Sequence, residues 1–424
     1  MRSILALALL LAASAQTSLR ADAPAPLRIG LDHNFRHSTL LLLSCSRQFT
    51  LRDAVTNQPL AHGAGNALYK VQTSALGMTL TRADGAKETP LPLHGASALS
   101  VLPGPGGFVK IARLDTQASG AKSFPWHSYR GFLTVRREPD TTFRVINTVG
   151  LEPYLYGVIP AEIGAKVPME AMKAQAVAAR TYALKNRGKC LAEGGFDLDD
   201  TTHCEGYYGL DGETALSNAA VDATRSQVLT YQGTLIDAIF STDSGGVTAC
   251  DLSGECPYLQ AVKDCDGADG AEYAAAGKYH SWTYTFTPLQ IAALLARDPR
   301  TSVTQFVSLA IDGLDPSGRI TTATVAGADG TLKTVTGPHL RRILGYDTLR
   351  STRVVLTRTP DGAYRFDGKG WGHGMGMSQD GAVAMAGPPY RKTYTQILTH
   401  YYVGAKVGLV SPVITAARFF TDAR

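Results

Sequence analysis

The stretch IPAEIGAKVPMEAMKAQAVAARTYAL, Ile159 to Leu184, decides the architecture. Its second half reads as a helix. Pro168 suits the first turn, where a missing N–H is no loss, and Gly188 suits the position just past the end. Met169, Met172, Ala176, Ala179 and Ala183 recur at helical spacing. So many small side chains let a helix sit very close to its neighbours. Ahead of it, Glu162 stands as a single acid among apolar and small residues. Upstream, Pro153 opens a short helix after Leu151-Glu152, and Gly157 to Pro160 ends it, which leaves Glu162 on a short loop. Glu170, in the first turn of the long helix, complements the helix dipole. Arg180 interrupts the small-residue face. It reads equally as a group reaching toward Glu162 or a substrate and as half of a structural ion pair.

Working outward, residues 22–145 read as a β-rich N-terminal region. LRIGLDHN, QFTLRDAV and GFLTVRRE carry partial alternation, and turn residues such as Asn57, Gly63, Gly85 and the PGPGG run at 103–107 separate them. Residues 214–226 predict a second alanine-rich helix. QVLTYQGTLIDAIFST predicts a hairpin turning at Gln232-Gly233 and running into the tight DSGG at 243–246. Residues 285–345 predict a helix over PLQIAALLAR, a hairpin about Asp329-Gly330 and a short helix from His339 to Leu344. Roughly 400 residues beyond the N-terminal segment exceed what one core usually needs. The expectation is an α+β, β-rich protein, its alanine-rich helical segment packed on sheet, with two or more subdomains around a groove.

A second unusual stretch is DGKGWGHGMGMSQDGA, Asp367 to Ala382. Gly368, Gly370, Gly372, Gly374 and Gly376 alternate with larger residues, so in an extended chain they fall on one face. Glycine weakens a strand, and such a row implies that backbone or ligand approaches closely on that side. Ser378 caps the helix that follows, and GPP at 387–389 stops it.

The N-terminus reads as an export signal. Arg2, the apolar run Ile4 to Ala13 and Ala13-Ser14-Ala15 match a cleaved signal peptide within residues 1–21, the run being too short to span a bilayer. No later segment is apolar enough to do so. Loss of Arg2 and Arg20 lowers the formal charge from +5 to +3. That is too mild a surplus for a nucleic-acid partner, which calls for clustered Lys and Arg. Six cysteines remain: Cys45, Cys190, Cys204, Cys250, Cys256 and Cys265. In an oxidising compartment they predict disulfides, Cys190 with Cys204 and a local pair within Cys250, Cys256 and Cys265. No HExxH pattern occurs, which leaves a zinc peptidase or amidase without support.

LEPYLYGVIPAEI and VPMEAMKAQAVAARTYAL, then STDSGG, then GKGWGHGMGMSQDGA and ILTHYYVGAKV, stand in an order that resembles one family. YRGFLTV before them, and GRITTATV with LRRILG between, add to the likeness. The chain resembles the stage II sporulation protein D and amidase-enhancer (SpoIID/LytB) family over most of residues 128–407. On that resemblance 146–407 form the family domain, with a core motif at 146–246, the glycine-rich motif at 367–382 and a tail at 408–424.

The resemblance implies a peptidoglycan lytic transglycosylase acting on peptide-stripped glycan strands, with Glu162 as its catalytic acid and base. Arg180, Ser244, Gly245, Trp371 and His373 become candidate substrate contacts. The alternative is a non-catalytic activator of a cell-wall amidase. Either protein works outside the cytoplasm, in periplasm, wall or medium, with glycan strands and possible amidases as partners. Some family members bind zinc with one histidine and two cysteines just after the alanine-rich helix. Here Cys204 is kept, an acid (Asp199 or its neighbour) stands near where the earlier cysteine would fall, and Cys190, His203 and Cys204 are the weaker alternative to the disulfide. No cofactor is otherwise expected.

Overall fold

Two sheets form the N-terminal half of the computed structural model, which describes residues 24–115, 125–267 and 270–410. The expected signal peptide and residues 411–424 of the expected tail lie outside the described residues. One sheet has seven strands in the order Leu198–Asp199, Leu27–Gly30, Phe143–Val149, Phe132–Arg137, Ala98–Pro103, Phe49–Asp53 and Pro59–Gly63. The other has six: Trp126–Tyr129, Val109–Arg113, Leu40–Cys45, Leu68–Ser74, Gly77–Asp84 and Lys87–Leu91. Neighbours are antiparallel except Leu27–Gly30 with Leu198–Asp199, which run parallel. Period-two alternation is clear in Leu68–Ser74, where Tyr69, Val71 and Thr73 are buried and their neighbours are not. Tyr69 and Val71 meet Leu51, Val101 and Val135 of the other sheet in one shared core. The molecule is α+β and β-rich, as expected.

Two helices lie against this core: α1 (Leu151–Glu162) and α2 (Met169–Lys185). The alanine content of α2 now has a physical reason. Ala171, Met172, Ala176, Ala179 and Ala183 face the sheet core. Ala174, Val177 and Ala178 face a second core built with Met377, Ala382, Ile397, Leu398 and Tyr401. A helix enclosed on both sides has no solvent face to make polar, and only small side chains let both neighbours close in. A third core, around Trp282, Phe286, Ile291, Leu340 and Phe366, belongs to residues 281–369. The expected border at 145/146 falls inside the strand Phe143–Val149, so the N-terminal sheets and the helix pair share packing across it.

Several local expectations hold. α3 (Ala215–Ala223) starts at a Thr214 capping box. The hairpin Gln227–Tyr231 with Thr234–Leu235 turns at Gln232 and Gly233, both at positive φ. The strands Ile320–Gly327 and Leu332–Thr336 flank Asp329-Gly330, and Pro288–Leu295 and Gly337–Leu344 are helical. Ser378 caps α4 (Gln379–Ala386) by accepting from the Gly381 N–H.

Two expectations are corrected. α1 does not stop at Gly157 to Pro160 but continues through both, so Glu162 sits in its last turn rather than on a loop. Gly157 is there for close approach: a Cβ would lie 2.6 Å from the Gly209 carbonyl oxygen. The glycine-rich motif is likewise not extended throughout, because Gly370, Gly372, Gly374 and Gly376 all have positive φ. Close approach on the glycine side is found, as expected. Gly368 abuts the Trp282 ring, Gly370 the Asp243 carbonyl, Gly374 the Arg319 guanidinium and Gly376 the Ile239 carbonyl. Among the described residues no helix is long and apolar enough to cross a membrane.

Candidate active site

Glu162 ends α1 where three segments converge. Its Oε1 accepts a hydrogen bond from the Gly206 backbone N–H. Its Oε2 accepts from Gln379 Nε2, 3.2 Å away, at the start of α4. Burial pushes the Glu162 carboxyl above the ordinary glutamate range, and the Gly206 and Gln379 donors only partly offset that. Position works in the same direction, because the negative end of the helix dipole opposes an anion in the last turn. The side chain is still partly exposed. A carboxyl that keeps its proton at higher pH, yet has two donors ready for its ionised form, is suited to giving and retaking a proton.

A second carboxyl, Glu205, lies one residue from Gly206 and is fully buried. Its Oε2 accepts from Tyr154 Oη at 3.2 Å, while Oε1 has no partner among the described residues. Burial and then the nearby Glu162 charge hold Glu205 well above the usual carboxylate range. Sequence reasoning missed Glu205, Gly206 and Gln379. Gln379 stands inside the glycine-rich motif, and that was the one signal available.

Arg180 is a correction. It is fully buried and grips Glu152 of α1 through Nε to Oε1 at 3.0 Å and Nη2 to Oε2 at 2.6 Å. Its remaining N–H groups go to the carbonyls of Ala176, Val221 and Gln227. All five donors are thereby used and none is left for a substrate. Arg180 locks α1 to α2. Ser244 is also fully buried, its hydroxyl donating to Asp264 Oδ2 at 2.6 Å. Gly245 at positive φ lies against the Lys369–Gly370 backbone. Both therefore sit in the seam between the DSGG turn and the glycine-rich motif, not on a surface. Trp371 is partly exposed and meets Tyr279 edge to face at 4.3 Å. His373 is exposed and accepts from the Met375 N–H. Glu170 pairs with Lys173 and accepts from the Tyr394 N–H, a structural role.

The six cysteines are free thiols in the structure. Cys190 and Cys204 place their sulfurs 3.7 Å apart without a bond, in place of the expected disulfide. No pair forms within Cys250, Cys256 and Cys265 either; Cys256 accepts from Tyr258 Oη and Cys265 donates to the Gly267 carbonyl. Around Cys190 and Cys204 stand Asp199 and His203, and one donor atom from each of the four lies within 4.8 Å of the others. The set fits zinc. Zn–S bonds of about 2.3 Å at a tetrahedral angle place two sulfurs roughly 3.8 Å apart. His203 Nδ1 lies 4.0 and 3.9 Å from the two sulfurs, and Asp199 Oδ2 lies 3.8 Å from Cys190. His203 Nδ1 and Asp199 Oδ2 are hydrogen-bonded to each other at 2.7 Å, a bond they would give up to hold the ion. Burial tends to raise the Asp199 carboxyl, but hydrogen bonds from Thr201 and His203 outweigh it and keep it ionised. Asp199, one of the two acids that the sequence places near the missing cysteine, is the one that joins this group.

Residues 139–231 match a family described as Stage II sporulation protein, and residues 250–376 match a domain of unknown function. Glu162 and Gly206 fall in the first match; Gln379 lies just past the second. The chain is 33% identical over 266 residues to an uncharacterized protein of Brachyspira hyodysenteriae, covering 63% of this chain and 68% of that one. It is 31% identical over 286 residues to the stage II sporulation protein D of Bacillus subtilis, covering 63% and 77%. It is 32% identical over 289 residues to the amidase enhancer of the same organism, covering 59% of this chain but 39% of that one.

Proposed function

We propose a function from one premise: this chain belongs to the stage II sporulation protein D family. It is an exported cell-wall protein that cleaves the glycan strand of peptidoglycan as a lytic transglycosylase. The observation that carries this reading is Glu162, a carboxyl raised by burial and flanked by two neutral donors.

Protonated Glu162 gives its proton to the oxygen that links N-acetylmuramic acid to N-acetylglucosamine, and the C1–O4 bond breaks. The resulting carboxylate, held by Gly206 and Gln379, takes the proton of the muramoyl 6-hydroxyl as O6 bonds to C1. A 1,6-anhydro end is left, no water is consumed, and Glu162 is protonated again. Two-carboxylate glycosidases need a second acid for water or a covalent intermediate; this cycle needs one. Trp371 offers a partly exposed ring on which a sugar can stack, and His373 an exposed imidazole two residues along the chain. Asp199, Cys190, His203 and Cys204 would hold zinc. With four protein ligands and no open position, zinc there would cross-link the 190–204 segment.

A second reading is favoured by the likeness to a protein named amidase enhancer: binding to the wall and stimulation of an amidase. Purified protein incubated with peptide-free glycan strands decides between them. Mass spectrometry should find 1,6-anhydro ends. Hydrated reducing ends alone sink the lytic mechanism, and amidase stimulation that persists in Glu162→Gln, with no glycan cut, supports the activator.

A further inference from the structure

The turn that supplies the Gly206 N–H is held to the same helix that carries Glu162. Within two turns of α1, Tyr154 Oη donates to Glu205 Oε2 at 3.2 Å and the Tyr208 N–H donates to the Gly157 carbonyl at 3.2 Å. Between these two points the Gly206 N–H meets Glu162 Oε1. Tyr207 adds a bond to Asn147 Oδ1 at 2.9 Å on the sheet side. Gly206 has little room: a Cβ would stand 3.2 Å from Glu162 Oε1 and 3.4 Å from the Ala161 Cβ. Glu205 is an expensive way to build such a hook. It is wholly buried, and its Oε1 finds no partner among the described residues. A buried polar atom without a partner weakens a fold, so a group that keeps one stands at a place chosen for something else.

We infer that Glu205 is a positioning residue for Glu162: hooked by Tyr154, it fixes the 205–208 turn so that the Gly206 N–H stays on the reacting carboxyl. This rests on the proposed acid and base role of Glu162. The groups facing Glu162 are Tyr154 on its own helix, Glu205 and the Gly206 N–H from the turn, and Gln379 from α4. A hydrogen bond to the ionised form lowers a carboxyl's pKa, so loss of the Gly206 donor raises it.

Glu205→Ala should therefore move the alkaline limb of glycan cleavage upward by about half a pH unit or more, and Glu205→Gln, which still accepts from Tyr154, should bring it back. Tyr154→Phe, the gentler change should Glu205→Ala fail to fold, should move the limb the same way. A limb that stays in place means that Glu205 is structural only. One that moves down means that Glu205 acts as a nearby negative charge. Either result overturns the inference. Carboxyl NMR of glutamate-labelled protein, with Glu162→Gln to identify the resonance, reads the same midpoint without any substrate. A wild-type protein that cuts no glycan would thus sink the enzyme reading while the Glu162 midpoint still decides the hook.

Discussion

Helix α1 carries a glutamate at each end, and the two meet opposite surroundings. Glu152, in the first turn, lies where the helix dipole favours an anion, and the buried Arg180 guanidinium holds it bidentately. Glu162, in the last turn, lies where the dipole opposes an anion, and its two partners are neutral donors. One carboxylate is tied down by charge and contributes rigidity. The other is left free to change its protonation. The difference teaches that a reactive acid is made less by what touches it than by which compensation is withheld.

The largest expected effect breaks the comparison at its reactive end. Glu162→Gln keeps shape and hydrogen bonding but can neither give nor take a proton. Glycan cleavage should fall by about 10²–10⁴-fold, with the circular dichroism spectrum unchanged. Well-folded Glu162→Gln protein that retains full activity would remove this residue from the chemistry.

At the other end the effect should be on stability. Glu152→Ala leaves the Arg180 guanidinium buried without its anion, and a broken buried pair costs about 3–5 kcal/mol. Urea midpoints of wild type and Glu152→Ala measure this. Activity per folded molecule should stay near wild type. If instead activity vanishes with little change in midpoint, Arg180 and Glu152 belong to the site after all.

Much of this contrast could not be read from the chain. The alanine spacing of α2 and the Gln232-Gly233 hairpin are local signals, and both elements are present. α1 was misjudged because Gly157 and Pro160 are helix breakers by local rule. Gly157 is instead required by the segment around Gly209, which arrives from 52 positions away in sequence and leaves no room for a Cβ. The donors to Glu162 were hidden for the same reason: Gly206 is 44 residues distant and Gln379 is 217. Arg180 had two readings of equal weight, and only its burial against Glu152 separates them. The extended reading of the glycine motif failed because alternation cannot tell a flat strand from a chain of left-handed turns. Gly370, Gly372, Gly374 and Gly376 are needed for approach as well as for φ, and Gly368, still in regular strand, for approach alone.

A third test uses the direction in which folding moves the Glu162 pKa. It is higher in the folded protein than unfolded, so the proton it binds adds stability at low pH. That contribution is complete below the unfolded value of about 4.3 and is lost as pH rises through the folded pKa. A pKa that differs by one between the two states corresponds to about 1.4 kcal/mol. Glu162→Gln should therefore melt higher than wild type at pH 8, and the gap should close toward pH 4. A gap of the opposite sign would mean that the charged form is the one the fold favours, as it is for an acid paired with arginine.

The smallest effect sharpens the comparison at a single hydrogen bond. Gln379→Met removes the donor to Glu162 Oε2 while keeping length and bulk. The ionised carboxylate loses one of its two partners, so Glu162 should hold its proton to still higher pH. A single hydrogen bond contributes about 0.5–1.5 kcal/mol net, which moves a titration midpoint by roughly half to one pH unit. The alkaline limb of glycan cleavage should move up by that much, with only a few-fold change in the maximum rate. The higher pKa makes the acid weaker but its conjugate base stronger, and the two steps offset each other. A larger loss, with the limb in place, would mean that Gln379 binds the sugar rather than Glu162. A limb that moves down would require a positive group near Glu162 that the glutamine had kept away, and the contrast between the two ends of α1 would then be one of degree only.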